Sequence, residues 1–337
     1  MSKCDKQVCK RTSIGGQAVI EGVMMKGPHK TVLSVRHIQS GEIITEEVPG
    51  ISLREKYRVL RLPLLRGVVA FVESLVTGYK ILMRSADLSG MTELEEQEQA
   101  EKQKRQTELD GTDGPERQKK ENGALLGALM AVASVLGVAL ALVLFMWVPT
   151  LIFNGINAAA GGTISGWRAL IEGLMKIAIF IGYVALVSLM KDIRRVFMYH
   201  GSEHKSIFCY EKGLELTVEN VRKQSRFHPR CGTSFMFLMI AVGILFSTIV
   251  VLVFPGVATV SYIWVPVKIL MIPLFCGLGF ELIRLCGRYD NLATRIIAAP
   301  GLWVQRLTTK EPEDAMIEVA IASLKAVIPE NEEDDRW

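Results

Sequence analysis

The stretch "ALLGALMAVASVLGVALALVLFMWVPTLIF", residues 124–153, carries no charged side chain. A helix needs about 20 predominantly apolar residues to cross the hydrocarbon core of a bilayer, so this stretch predicts a membrane span. Three further stretches pass the same test, at about 169–190, 234–254 and 261–283. Half of the 337 residues are hydrophobic. Their concentration in these four runs predicts a mainly α-helical, four-span membrane protein.

The distribution of Lys and Arg predicts the orientation of the spans. The connections at 154–168 and 255–260 hold only Arg168, whereas the other connections and the two ends hold nearly all the remaining basic residues. Basic residues near span ends are retained in the cytoplasm. Both termini and the central loop are therefore predicted to be cytoplasmic. The net charge of +4 follows from this topology, and nucleic-acid binding is not expected.

Neither a cleavable signal peptide nor a disulfide framework is expected from the sequence. No apolar core follows the charges of "MSKCDKQVCKRTSIGG", so a cleavable signal peptide is not expected. Of the six cysteines, Cys4, Cys9, Cys209 and Cys231 lie in predicted cytoplasmic segments. Cytoplasmic cysteines are usually reduced, and we expect free thiols at these positions.

The first part of the chain carries the pattern of a small β element. Residues 32–48 alternate apolar and polar side chains around a Gln-Ser-Gly-Glu turn, which predicts a β-hairpin with one buried face. The glycine-rich segment 14–28 precedes it and carries Gln17 and Glu21. One interpretation is a strand and turn marked by glycine. The other is a site into which Gln17 and Glu21 point and which the glycines leave open to a ligand.

Two segments connect this element to the first span. Residues 63–85 have helical periodicity, with Arg66, Glu73 and Lys80 close to one face of an otherwise apolar helix. A crossing here would export the basic residues before it, so we expect a helix that lies in the cytoplasmic interface or re-enters partway. Residues 91–123 are charged and nearly free of apolar side chains, which predicts a solvated linker.

The stretch "YHGSEHKSIFCYEKG", residues 199–213, is the candidate site. On a helix continuing from the second span, His200 and His204 stand one turn apart on one face, with Glu203 beside them. Two imidazoles at this spacing are a common way to offer ligands to a divalent metal. The order HxxEH is the inverse of the HExxH motif of zinc peptidases.

Two further residues with zinc-type side chains follow in the same loop, His228 and Cys231. Together with His200, His204 and Glu203, they would suffice for a site with three protein ligands and an open water position, as in catalytic zinc sites. The water-activating role would fall to Glu203 or to Glu21. The alternative interpretation is a hydrogen-bonded polar cluster at the membrane surface, without a metal.

Charged residues within the spans keep a transport hypothesis open. Glu172 and Lys176 are predicted to form an i, i+4 pair. Lys268 and Glu281 lie in or at the ends of the fourth span, where ionisable residues suggest function by default. Lys268 is expected to reach the outer edge of the membrane with its side chain. No internal repeat of the kind found in many secondary transporters is evident.

After the last span, Pro312, Glu313 and Asp314 open a predicted helix with an apolar stripe. The stripe consists of Met316, Val319, Ala320, Leu324 and Val327. We expect this helix to pack on the other cytoplasmic parts of the chain.

Several motifs together resemble a known family. They are "GGQAVIEGVMM" (15–25), "YHGSEHKSIFCYEKG" (199–213), "LTVENVR" (216–222), "HPRCGTSF" (228–235) and "GLWVQRLTTKEPEDAMIEVAI" (301–321). In this order they are similar to the bacterial membrane family of unknown function 1385, sometimes labelled a predicted metal-dependent enzyme. The resemblance implies an integral protein of the bacterial inner (plasma) membrane. Its pattern falls on Gln17, Glu21, His200, Glu203, His204, His228 and Cys231.

The sequence thus predicts six segments. They are an N-terminal cytoplasmic segment with the hairpin and the interfacial helix (1–90), the charged linker (91–123), spans one and two (124–190), the central cytoplasmic loop (191–233), spans three and four (234–283) and a cytoplasmic helical tail (284–337). The leading functional hypothesis is a metal site at the cytoplasmic face, with zinc as the expected metal and hydrolysis as the reaction class. The competing hypothesis is a non-catalytic scaffold or accessory subunit for membrane-protein assembly or transport. The expected partners are the lipid bilayer and other membrane proteins.

Overall fold

The computed structural model describes residues 11–49, 53, 57–94, 97–98, 101, 132–289 and 291–335. Most of the predicted linker 91–123 lies outside these residues. The chain divides into two compact units. The sheet unit is drawn from residues 1–92, 181–242 and 272–337, and the span unit from residues 93–180 and 243–271.

The helices and strands follow one another in this order. The strands are β1 Gly15–Val19, β2 Gly22–Lys26, β3 Thr31–Arg36 and β4 Ile43–Val48. The helices are α1 Leu65–Leu88, α2 Val132–Ala159, α3 Arg168–Val187, α4 Lys191–Glu211, α5 Val218–Arg222, α6 Gly232–Val253, α7 Pro255–Thr259, α8 Ser261–Leu270, α9 Ile272–Arg288, α10 Leu292–Thr308 and α11 Asp314–Val327. Short 3₁₀ turns lie at Arg58–Arg61, Ser165–Trp167 and Glu332–Asp335.

The four strands form one antiparallel sheet in the order β1-β2-β3-β4. The predicted hairpin is confirmed as the pair β3–β4, with Arg36 opposite Ile43. Its turn contains Gly41 at φ 72°, a left-handed conformation that glycine adopts without strain. The glycine-rich segment before it forms a second hairpin, β1–β2, whose two-residue turn holds Glu21 at φ 49°.

Helices cover both faces of the sheet, whereas one buried face was predicted. Alternate strand residues such as Met24 and Leu33 pack with Ile81 of α1. Their neighbours Val23 and Val32 pack instead with α4 and α11. Because a strand buried on both sides loses the alternation of apolar and polar residues, β2 contains the continuous apolar run Val23–Met25.

Helix α1 corresponds to the helix predicted at 63–85. Two residues of its charged stripe contact protein: Arg66 forms an ion pair with Glu281 of α9, and Glu73 accepts a hydrogen bond from the Leu53 amide at 2.6 Å. The third, Lys80, is exposed. A Cβ on Gly67 would lie 2.9 Å from the Cα of Gly277, so α1 and α9 pack backbone to backbone here. The opposite side of α1 exposes large apolar side chains, namely Val72, Leu75, Val76 and Tyr79.

Three helical stretches in the described part of the chain are long and apolar enough to cross a membrane. If a bent pair of helices is counted as one further span, the number is four. The stretches are Val132–Ala159, Ser165–Val187 and Gly232–Val253. The pair is α8 with α9, bent by 42°. The predicted first span begins outside the described residues and continues to Ala159. The bend between α8 and α9 divides the predicted fourth span at Met271, five residues after Pro266, which lies inside α8.

Helix α4 does not continue the second span, as the sequence analysis assumed. It starts afresh after a break at 188–190, where Met190 is extended with ψ 133°. Helix α11 confirms the predicted C-terminal helix, and all five residues of its apolar stripe are buried. They pack against the sheet and α4 in one core.

Candidate metal centre

Helix α4 presents His200, Glu203 and His204 on one face, as the i, i+3, i+4 spacing predicts. On another side of this helix, the chain after α10 passes very close. A Cβ on Gly201 would collide with the carbonyl oxygen of Lys310. The Lys310 amide donates to the Phe197 carbonyl at 2.8 Å. This contact fixes α4 against the end of α10.

Cys231, at the start of α6, joins the two histidines. Its Sγ lies 3.1 Å from Nε2 of His200. One ligand atom from each of His200, His204 and Cys231 lies within 4.8 Å of the other two. Cys231, which directly precedes α6, thus lies beside His200 and His204 of α4. The three candidate ligands come from two separate structural elements.

Backbone carbonyls orient both imidazoles. His200 donates from Nδ1 to the Thr308 carbonyl at 2.8 Å, and His204 donates from Nδ1 to the Arg226 carbonyl at 2.5 Å. A carbonyl oxygen only accepts hydrogen bonds, so each Nδ1 carries its proton. When each ring is neutral, its lone pair is on Nε2, and a metal can bind there once it has displaced the proton between His200 and Cys231.

The pair of half-buried His200 and buried Cys231 is polarised. Burial opposes ionisation of the Cys231 thiol, but the imidazoles of His200 and His204 hold its pKa well below the ordinary value. Burial also opposes protonation of His200, yet the adjacent Cys231 sulfur raises its pKa to about 9. Cys231 therefore has the thiolate character that both metal binding and nucleophilic attack require.

Glu203 is buried beside this group, with 5% of its surface exposed. Burial raises the pKa of its carboxyl group, and the nearby His204 and His200 oppose the shift. Strand β1 closes over it at Gly16: a Cβ there would lie 2.9 Å from Cγ of Glu203. The amide of Gly16 also hydrogen-bonds to the Glu203 carboxyl. A glycine in β1 thus makes room for a buried carboxyl group whose pKa is raised, as is common for residues at functional sites.

His228 lies next to the three residues but outside their group. Its ring centroid is 5.5 Å from that of His204. Its Nε2 faces Glu211 at 3.8 Å, and Glu211 is itself paired with Arg230. Burial, only partly offset by Glu211, lowers the pKa of His228 to about 4, so the ring is neutral. The structure therefore gives His228 a supporting position beside the group.

Glu21 and Gln17 also lie outside the group of three. Both carboxylate oxygens of Glu21 accept from the Arg195 guanidinium at 2.6 Å, and one accepts from the Tyr199 hydroxyl at 3.2 Å. Gln17 points to the other face of the sheet, where a Cβ on Gly78 of α1 would lie 2.8 Å from its Oε1. Of the two candidate water-activating residues, Glu203 is the one beside the histidines and Cys231.

The sequence analysis missed the residues that hold this site in place. Gln305 of α10 accepts from the His228 amide and donates to the His228 carbonyl, both at 2.7 Å. The carbonyls of Thr308 and Arg226 belong to the backbone, which leaves no residue-specific signal. Gln305 is fully buried in an otherwise apolar stretch of α10. A lone glutamine on an apolar helix face is the signal that would have found it.

The donor set fits a transition metal. Zinc–nitrogen bonds of about 2.0–2.1 Å and zinc–sulfur bonds of about 2.3 Å separate the donors of a tetrahedral site by roughly 3.3–3.6 Å. The observed separations, 3.1 Å for His200–Cys231 and at most 4.8 Å within the group, bracket this range. Among the described cysteines, Cys209, Cys231, Cys276 and Cys286 are all free, so the Cys231 sulfur is available.

Comparisons with known proteins place the chain in a family. The family described as "Protein of unknown function (DUF1385)" matches residues 62–330. The uncharacterized protein YqhQ of Bacillus subtilis (strain 168) is 33% identical over 317 residues, which cover 93% of this chain and 92% of the relative. No solved structure matches the chain. Since the match spans most of the chain and the relative is similar over nearly its whole length, the chain belongs to the DUF1385 family of proteins of unknown function.

Proposed function

We propose that this protein is an integral protein of the bacterial inner membrane that binds one divalent transition metal, zinc, through His200, His204 and Cys231. The site lies at the cytoplasmic face, and the reaction class is metal-dependent hydrolysis with Glu203 as the general acid or base. The competing function, a non-catalytic scaffold, uses the same residues as a hydrogen-bonded cluster.

The composition of the sheet unit supports the orientation. Its core joins strands β1–β3, helix α4 and helix α11. Two candidate spans separate the sheet from α4 in the chain, and up to two more separate α4 from α11. Segments that pack together must lie on the same side of a membrane. An even number of crossings between them satisfies this condition, and the distribution of Lys and Arg favours the cytoplasm as that side.

The observation that carries the metal proposal is the fixing of both Nδ1 atoms. Metal-bound histidines almost always donate their other ring N–H to a carbonyl, a carboxylate or water, which fixes the ring and its tautomer. His200 and His204 both do so, with Thr308 and Arg226. Both histidines also hydrogen-bond to the Cys231 sulfur, which brings the three candidate ligands together.

The chain's own residues also fit hydrolysis. Three protein ligands leave a fourth position of a tetrahedral site open, which distinguishes catalytic from structural zinc sites. When bound, a divalent metal supplies Lewis acidity and lowers the pKa of water. Glu203, buried next to the group with a raised pKa, can take up a proton from water and return it to a leaving group.

Elemental analysis of the purified full-length protein tests the proposal. We expect about one equivalent of zinc in the parent protein, and its loss in the variant His200→Gln/Cys231→Ser. His29→Gln is the matched control, because His29 is exposed and does not belong to the group of His200, His204 and Cys231. Glu203→Gln should keep the metal, since Glu203 is not among the three ligands, and should lose hydrolytic activity.

The outcomes separate the two functions. Loss of zinc in the double variant alone, with the same elution volume in size-exclusion chromatography as the parent, supports the metal site. Absence of any transition metal from the parent protein, even after incubation with zinc and dialysis, refutes it. In that case the cluster is structural, and the scaffold function becomes the better explanation.

A further inference from the structure

A cluster of charged side chains is buried within the span unit. On α3, Arg168 donates to Glu172 at 3.0 Å. Lys268 of α8 donates to the same carboxylate at 2.9 Å, and Trp264 donates to it through Nε1 at 3.1 Å. Glu172 and Lys268 are 2% and 1% exposed. From the sequence, Glu172 was expected to pair with Lys176, and Lys268 was expected to reach the membrane edge. In the structure, Glu172 pairs with Lys268 instead.

Helix α2 completes the network. Thr150 accepts from Lys268 at 2.7 Å, and Asn154 accepts from Arg168 at 2.9 Å. Lys268 also approaches the Met146 carbonyl at 3.4 Å, which lies in the π-helical turn Val143–Trp147. Such turns inside α-helices are frequent at functional sites. The network therefore links α2, α3 and α8 at a place where the helix geometry is already irregular.

The charges of this cluster do not balance. Within residues 132–180 and 243–271, the sequence contains three cations, Arg168, Lys176 and Lys268, and one carboxylate, Glu172. Two positive charges are thus in excess among side chains that belong to apolar helices. An uncompensated charge in such surroundings is costly, and charged residues within spans usually pair with one another or mark an ion or substrate site.

Lys176 differs from the other two cations in its contacts. Among the described residues it forms neither a hydrogen bond nor an ion pair, although its ammonium interacts electrostatically with Glu172 and Lys268. It is the twelfth residue of the 23-residue stretch Ser165–Val187. With a rise of about 1.5 Å per residue it lies roughly 16 Å along the axis from Ser165. At this depth its ammonium is far from the lipid headgroups at either end.

We propose that the excess positive charge at Lys176, Lys268 and Arg168 forms a binding site for a small inorganic anion. Arg168 and Lys268 are held by protein acceptors and supply the field, and Lys176 supplies the free hydrogen-bond donors. Glu172 accepts hydrogen bonds from Arg168 and Lys268 and holds both side chains in place. Its single negative charge leaves the cluster with a net positive charge. This site is independent of the metal site proposed above.

Thermal unfolding of the full-length protein in a non-ionic detergent tests the proposal. The probes are sodium chloride and sodium phosphate, each compared with sodium gluconate at equal ionic strength. We expect chloride or phosphate to raise the unfolding midpoint by about 2–5 °C relative to gluconate, since a ligand that binds only the folded state stabilises it. Lys176→Met should abolish this difference and should be at least as stable as the parent protein in gluconate.

Lys191→Met is the matched control, because Lys191 is the next lysine along the chain, is exposed and lies outside the span. It should keep the anion-dependent shift. Lys176→Gln keeps a polar side chain and serves as a second variant if the methionine substitution prevents folding. The proposal is overturned if the parent protein responds equally to all three salts, or if both Lys176 variants keep the shift. Stabilisation by anionic lipid alone, without an effect of the free anions, also overturns it.

Discussion

Replacing Gly16 by alanine should destabilise the sheet unit, whereas replacing Gly15 should not. A Cβ on Gly16 would lie 2.7 Å from the carbonyl oxygen of Met24 and 2.9 Å from Cγ of Glu203. The first atom belongs to the backbone of the neighbouring strand and cannot yield without disturbing the sheet. Overpacking of this kind costs about 1–3 kcal/mol in free energy of unfolding.

Gly15 is the matched control in the same strand. A Cβ there would meet nothing within 4 Å. Replacing glycine by alanine in a strand without a clash gains about 0.5–1 kcal/mol, because the unfolded chain loses conformational freedom. Because this gain applies to both positions, the two variants should differ by the cost of overpacking alone, about 1–3 kcal/mol. Denaturant unfolding in mixed micelles, followed by tryptophan fluorescence, measures this difference.

A double-mutant cycle traces the cost to Glu203. Since Glu203→Ala removes the Cγ atom that the new Cβ would meet, part of the Gly16→Ala destabilisation should vanish in the Glu203→Ala background. A coupling energy of about 0.5–3 kcal/mol is expected for residues in contact. Equal stability of the Gly15 and Gly16 variants, or strict additivity in the cycle, would contradict the close contact between β1 and α4.

Three further predictions concern other parts of the sheet unit. Gln305→Leu should cost about 2–6 kcal/mol in free energy of unfolding, because the buried amide and carbonyl of His228 both lose their partner; a cost below about 1 kcal/mol would show that these groups find other partners. Alkylation of Cys231 by iodoacetamide, followed by mass spectrometry, should be slow in the zinc-loaded protein and should accelerate after chelation; equal rates would argue against Cys231 as a ligand. A photoactivatable lipid should label Leu75 on the apolar side of α1 and spare Lys80, and the reverse pattern would contradict an interfacial helix.

Local patterns were sufficient to predict several elements. The apolar runs predict the spans because length and polarity alone decide whether a helix fits a bilayer. The apolar stripe from Met316 to Val327 predicts α11, and alternation predicts the hairpin β3–β4. The covering of both sheet faces was not predictable in this way, because α1 and α11 come from distant parts of the chain. The break at Met271 also left no signal in hydropathy.

The candidate site was predictable in part. Helical periodicity alone brings His200 and His204 together. The return of Cys231 to His200 depends on the path of residues 212–230, which no local pattern determines. The same path turns His228 toward Glu211, and the two hydrogen bonds from Gln305 hold its peptide there. Spacing in the sequence identified the right loop, and tertiary contacts decided which of its side chains converge.

The core of the sheet unit has a consequence for biosynthesis. The strands β1–β4 leave the ribosome early, but α11, which covers one of their faces, follows more than 250 residues later. Long-range contacts of this kind form late, and apolar surface exposed in the meantime favours aggregation. The nascent sheet must therefore wait, with one face uncovered, until the intervening helices have been synthesised. The yield of folded protein should depend on factors that cover this apolar face during synthesis.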